Sequence, residues 1–221
     1  MRALTLLVAY LAPYCLIAST AQSPSVQSYN DQAAKLCRKA RDSGDGALYQ
    51  KAEEAVQHSL RLAPGNYDTQ KLEVSVMIGK HEFAQALKLA SELNARTHDD
   101  IAGWGLLVDA NVALGNYDAA EQAAQWILDL RPGSSLGFEK AAILRSIWGD
   151  QEGSAEFLDE AYRRTSQNDV DQRAWLLTQN ARVQFEAGNL KRAEELLDEA
   201  LKLAPDSQLA ATVLTKVKAS K

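Results

Sequence analysis

The chain has 221 residues, 46% of them hydrophobic and 24% charged, which is enough apolar material for a continuous core. Its 24 Lys and Arg stand against 29 Asp and Glu, for a formal charge of -5. The basic residues form nothing longer than short pairs, so a nucleic-acid partner, whose affinity rests on a phosphate-neutralising face, is excluded.

Residues 1–21 read differently from the rest. Met1-Arg2 is a positive start, Ala3 to Leu11 is an apolar run, and Ser19-Thr20-Ala21 sets small residues before Gln22, the pattern of a cleaved secretory signal peptide. The apolar stretch from Ala3 to Ala18 is shorter than the ~20 residues of a spanning helix and contains Pro13, which favours cleavage over the alternative of a retained membrane anchor, and no membrane insertion is expected after cleavage. The bulky Tyr14 before Cys15 argues against lipid attachment there. Cleavage leaves Cys37 as a lone cysteine, with no disulfide open to it inside the chain and the character of a small buried hydrophobe beside Leu36. The expected location is exported, periplasmic or secreted, and the lack of any Asn-x-Ser/Thr favours a bacterial envelope.

The mature chain reads as helix after helix. Tyr29, Ala33, Leu36, Cys37 and Ala40 fall at helical spacing from Val26, and Asp42 to Gly46 ends that helix. A partner helix is expected over about Ala47 to Leu62, stopped by Pro64-Gly65, and a second pair over Tyr67 to Ile78 and His81 to Asn94. Asp100 is placed to cap the next helix. Small residues Ala52, Ala84, Ala120, Ser154 and Ala193 each follow a turn residue by five positions, at spacings of 32, 36, 34 and 39. A polar insert over Gln167 to Asp171 accounts for the longest. A last helix, about Ser207 to Lys218, has Leu209, Val213, Leu214 and Val217 to cover the open end of the stack.

The cleanest unit runs Trp104, Leu107, Val108, Gly115, Tyr117, Ala120, Ile127, Pro132: large, large, small, turn, aromatic, small, apolar, stop. On that pattern the chain resembles the tetratricopeptide repeat (TPR) superfamily over nearly all of residues 25–219. Arg38 to Asp45 leading to Tyr49 and Ala52-Glu53, with Leu107 to Ala110 and Leu114 to Tyr117, makes it similar to exported bacterial members of unsettled function. The resemblance implies an all-α, right-handed solenoid of about five repeats over 22–205 (about 33–64, 65–98, 99–132, 133–166 and 171–205), then a capping helix and tail over 206–221. It also implies a non-catalytic scaffold or adaptor, with no cofactor, that binds a protein or peptide of unknown identity in its concave groove. A carrier or sensor of a small envelope molecule, a glycan or lipid fragment, is the alternative, and it requires a closed apolar pocket.

Enzyme motifs are weak. Gly133-Ser134-Ser135-Leu136-Gly137 matches a hydrolase elbow in letters, but helices are expected on both sides and all three histidines precede it, so it reads as a turn with a capping serine. His58, His81 and His98 are too scattered for a metal site, and Gly79-Lys80-His81 lacks the rest of a phosphate loop. Repeat positions that face a TPR groove fall on Arg38, Arg41, Glu73, Asp109, Glu139, Lys140, Trp175, Gln179, Arg182 and Phe185 when counted from Ala33, Gly65, Ile101, Ser135 and Ala174. Trp175, Phe185 and Arg182 suit a peptide anchor, since aromatics and arginine dominate binding hot spots. Trp104 is expected in the core and Trp126 near the outer face. The carboxylate clamp by which some relatives hold chaperone tails is absent, with Ala102, Leu106, Cys37, Arg41 and Gln70 at its positions.

Overall fold

A computed structural model describes residues 25–220, and the expected signal peptide at 1–21 lies outside them. Among the described residues there are eleven helices: α1 (Val26–Ser43), α2 (Ala47–Leu62), α3 (Tyr67–Gly79), α4 (Phe83–Arg96), α5 (Ile101–Leu114), α6 (Tyr117–Leu130), α7 (Ser135–Ile147), α8 (Gln151–Arg164), α9 (Val170–Glu186), α10 (Leu190–Leu203) and α11 (Gln208–Ala219). They stack as five antiparallel pairs with α11 closing the end, a TPR-like α-solenoid with a cap.

The caps explain the boundaries. Ser25, Asn66, Asp100, Ser134, Asp150, Asp169 and Ser207 each accept a backbone N–H of the first turn with their side chains, satisfying a donor the helix leaves unpaired. Four of the five turns within pairs reverse through a glycine in the left-handed region: Gly44, Gly115, Gly149 and Gly188. Gly79 has another cause. A β-carbon there would lie 2.2 Å from the Tyr49 ring, so the glycine lets α3 close on α2, and His81, at φ 64, takes the left-handed turn instead.

Two kinds of helix result. The odd-numbered helices form the inner layer, with α1 against α3, α3 against α5 and α5 against α7, while the even-numbered ones pack against these odd-numbered helices and not against one another. Outer helices accordingly bury one stripe, such as Ala120, Ala123, Ala124 and Ile127 on α6. Inner helices are covered on several sides: α5 buries Gly103, Gly105, Leu107, Val108, Ala110 and Asn111. Small residues set the approach of the axes: Ala52, Ala120, Ser154 and Ala193 are buried as expected, but on α4, which begins at Phe83, Ala84 is exposed and Ala86 is the buried residue. The core passes from repeat to repeat in four clusters, the largest spanning α3 to α7 around Leu93, Val108 and Ile127.

The stack bends until its two ends meet. Asp42 on α1 accepts hydrogen bonds from the Ser207 hydroxyl at 2.5 Å and the Gln208 backbone N–H at 2.9 Å, across 165 residues of sequence. Arg38 pairs with Asp171 at 3.9 Å, and the Arg41 guanidinium lies 3.9 Å from the centre of the Trp175 ring. Such end-to-end contact is not part of the sequence expectation, because no repeat position encodes it.

Candidate functional site: the concave groove

The inner helices enclose a cavity of about 420 Å3 that opens on the concave side. Helix α1 contributes Gln27, Asn30, Asp31 and Ala34, and α3 contributes Asp68, Lys71, Leu72 and Ser75. Ala102, Gly105, Leu106 and Asp109 of α5 and Leu136 and Lys140 of α7 complete it. The lining recurs at 34 residues, from Asp68 to Ala102 to Leu136, so one register of the repeat builds one row of the groove. Aliphatic and charged side chains line it together.

The lining cations are already engaged. Lys140, buried on α7, reaches both carboxylate oxygens of Asp109 at 2.6 and 2.8 Å and lies 3.8 Å from Glu139. Burial works against the Lys140 ammonium, but Asp109 and Glu139 outweigh it and raise its pKa. Lys71 sits between Asp68 at 3.1 Å and Asp100 at 3.0 Å. Burial pushes the Asp100 carboxyl up, while hydrogen bonds from Lys71, the Tyr67 hydroxyl and the Ala102 N–H hold it below its ordinary value. Asp31 has only Gln27 beside it and is exposed.

The residues singled out from sequence divide into three groups. Asp109 and Lys140 line the cavity, and neighbouring Glu139 is buried and accepts a hydrogen bond at 2.7 Å from Gln172 of α9. Arg38, Arg41 and Trp175 meet where the ends join. The remaining four lie elsewhere: Glu73 is pushed up by burial and by the charge of Glu53 on α2, which places it between helices. Gln179 accepts from Arg182 at 3.1 Å, with Arg182 exposed, and Phe185 packs against the cluster of α9 to α11.

The displaced positions on α1 and α3 have one cause. Tyr67 is the first helical residue of α3, so counting from Gly65 sets the row two residues early and selects Glu73 where Ser75 lines the groove. On α1 the lining falls at Gln27 to Ala34, upstream of Arg38 and Arg41, because the helix begins at Val26 and not near Ala33. A cap-first count from Asn66 would have found Lys71, Leu72 and Ser75.

Other expectations resolve on geometry. The Gly133 to Gly137 segment joins two helices: Ser134 caps α7, and the Ser135 hydroxyl is 2.9 Å from the Ala161 carbonyl and 2.6 Å from the Thr165 hydroxyl. Burial pushes the Cys37 thiol up to about 11 against the opposing pull of Arg38 and Arg41, which suits a packing residue. Trp104 is half-buried rather than core: its indole N–H donates to the His98 carbonyl, and its ring lies 5.6 Å from that of Trp126, which is 46% exposed on α6. Among the described residues no helix is long and apolar enough to cross a membrane, and no group of three or more His, Cys, Asp or Glu is arranged to hold a metal.

No protein-family model matches the sequence, and no curated protein is similar to it at a significant level. Solved structures are. A thermophilic TPR protein of Thermus thermophilus superposes with a TM-score of 0.73 at 16% identity, over 88% of this chain and 100% of that one. The APC/C hetero-tetramer Cut9–Hcn1 contains a chain that matches with 0.66 at 12% identity, over 88% of this chain but 40% of the other. A tetratricopeptide repeat protein of Parabacteroides merdae gives 0.53 at 14% identity, over 85% and 72%. The chain therefore has the fold of tetratricopeptide repeat proteins. At these identities the likeness is one of fold.

Proposed function

We propose that this chain is an exported, non-catalytic scaffold that holds a segment of a partner protein in the concave groove built by α1, α3, α5 and α7. One observation carries the reading: a single cavity runs across four successive inner helices and is lined by both aliphatic and charged side chains. That shape supports an extended segment touching several repeats. A carrier of a small glycan or lipid fragment needs an enclosed apolar pocket, and this cavity is open along one side with Asp31, Asp68 and Asp109 at its edge. Export is part of the proposal and rests on residues 1–21, whose pattern is that of a cleaved leader.

The test fills the groove without touching the core. Ala102 is exposed and lines the cavity, so Ala102→Trp is expected to leave the helical content and melting temperature near those of the wild type. In pulldowns from the envelope fraction of the source cells, partners recovered by the wild type are expected to be lost by this variant. Unchanged recovery of every partner would overturn the groove assignment. Fractionation of the tagged full chain tests export, and retention of the whole pool in the cytoplasm would contradict it.

A further inference from the structure

The seam where the ends meet has the form of a ligand in its site. On one side, α1 presents three side chains within two turns: Arg38, Arg41 and Asp42. On the other, α9 and α11 present a matched set. Asp171 takes Arg38, the face of Trp175 one turn further along takes the Arg41 guanidinium, and the N-terminus of α11 takes the Asp42 carboxylate through Gln208 N–H and the Ser207 hydroxyl. Cation meets carboxylate, cation meets aromatic face, and anion meets the positive end of a helix.

These contacts join α1 to α9 and α11 and lie outside the core clusters, although the Trp175 ring also packs against the cluster of α7 to α9. Arg38 and Asp171 keep 53% and 68% of their side-chain surface exposed, and Arg41 is exposed as well. The half of α1 that does pack, around Ala33 and Ala40, faces α2 and α3. The seam can thus separate without unpacking a repeat. It also covers the aromatic side chain of α9 at a position equivalent to Ala102 and Leu136 of the open groove.

We propose that α1 is an internal ligand, and that the face it covers on α9 and α11 docks a partner segment bearing two arginines three residues apart followed by a carboxylate. The closed ring withholds this site. A partner segment that offers the same three groups takes the place of α1, and the groove then extends from the α1 to α7 cavity onto α9. The inference rests on the reading of the concave face as a protein-binding surface, but it uses different residues: Asp171, Trp175 and Ser207 are not part of the cavity.

The test supplies the internal ligand in trans. The probe is a fluorescein-labelled, end-capped peptide with the sequence of residues 33–44, and the acceptor is the full chain carrying Arg38→Ala, Arg41→Ala and Asp42→Ala. The opened variant is expected to bind the peptide at least about tenfold more tightly than the wild type, whose site is filled from within. Trp175→Leu in the opened variant, or alanine at both arginines of the peptide, is expected to abolish binding. Equal affinity for wild type and opened variant, failure of a folded opened variant to bind, or indifference to the peptide's arginines would each overturn the proposal. If the triple variant does not fold, Asp42→Cys with Ser207→Cys in a Cys37→Ser chain replaces it, since those two side chains already meet. The reduced form is then expected to bind the peptide and the disulfide-locked form to refuse it, and identical binding by both would overturn the idea. Failure here leaves the Ala102→Trp test standing, because that variant probes the cavity alone.

Discussion

Helices α5 and α9 hold the same place in their repeats and come to opposite uses. On α5 the inward positions are Ala102, Leu106 and Asp109, which line an open groove, whereas on α9 the equivalents are Trp175, Gln179 and Arg182, and the tryptophan is covered by Arg41 of α1. Packing explains part of the contrast. Inner helices lie directly side by side from α1 to α7, but that contact falls away between α7 and α9, where the Glu139–Gln172 hydrogen bond bridges instead. The repeat dictates where a side chain points; what fills that direction depends on where the stack bends.

This contrast can be broken most forcefully in the core. Leu93 is wholly buried in the central cluster, and Leu93→Ala is expected to cost about 2–5 kcal/mol by urea unfolding. Because each repeat leans on its neighbours, hydrogen exchange should rise more in α3 to α6 than in α10 and α11. Equal loosening at both ends would show that the seam welds the ring into one unit. Next in size is the Asp109–Lys140 pair: Asp109→Ala leaves the Lys140 ammonium buried beside Glu139 alone and is expected to cost about 3 kcal/mol, while Asp109→Leu with Lys140→Met should return most of it. Gly79→Ala drives a methyl into the Tyr49 ring and should cost about 1–3 kcal/mol.

The seam should be softer. Arg41→Ala is expected to cost about 1 kcal/mol and to raise the radius of gyration in X-ray scattering, whereas an unchanged radius would mean that the ends stay joined without the Trp175 contact. The smallest effect expected is that of Asp100. A carboxyl held below its ordinary value stabilises the fold above the unfolded pKa of ~4 and loses that contribution as pH falls through its lower folded value. Asp100→Asn should therefore flatten part of the acid limb of a stability–pH curve, and an identical limb would remove Asp100 from the account.

Much of this architecture is legible in the residues. Gly115, Gly149 and Gly188 mark the turns, the Asp100 and Ser134 caps stand at helix starts, and Ala52, Ala120, Ser154 and Ala193 lie where axes approach, whereas Ala84 is exposed and Ala86 is buried in its place. The groove is legible wherever the helix start is known, which is why Asp109 and Lys140 are found and Lys71 and Leu72 are missed. Closure of the ring is not legible. It sums small bends over five repeats, and its contacts join Asp42 to Ser207 with no local pattern to announce them.

The claim on which the rest depends is that the concave face does the binding, and site-specific photocrosslinking tests it most directly. A benzophenone side chain placed at Ala102 in the groove should yield a discrete adduct with a partner in the envelope fraction of the source cells, and one placed at Trp126 on the outer layer should not. Adducts from position 126 with none from position 102 would contradict the account.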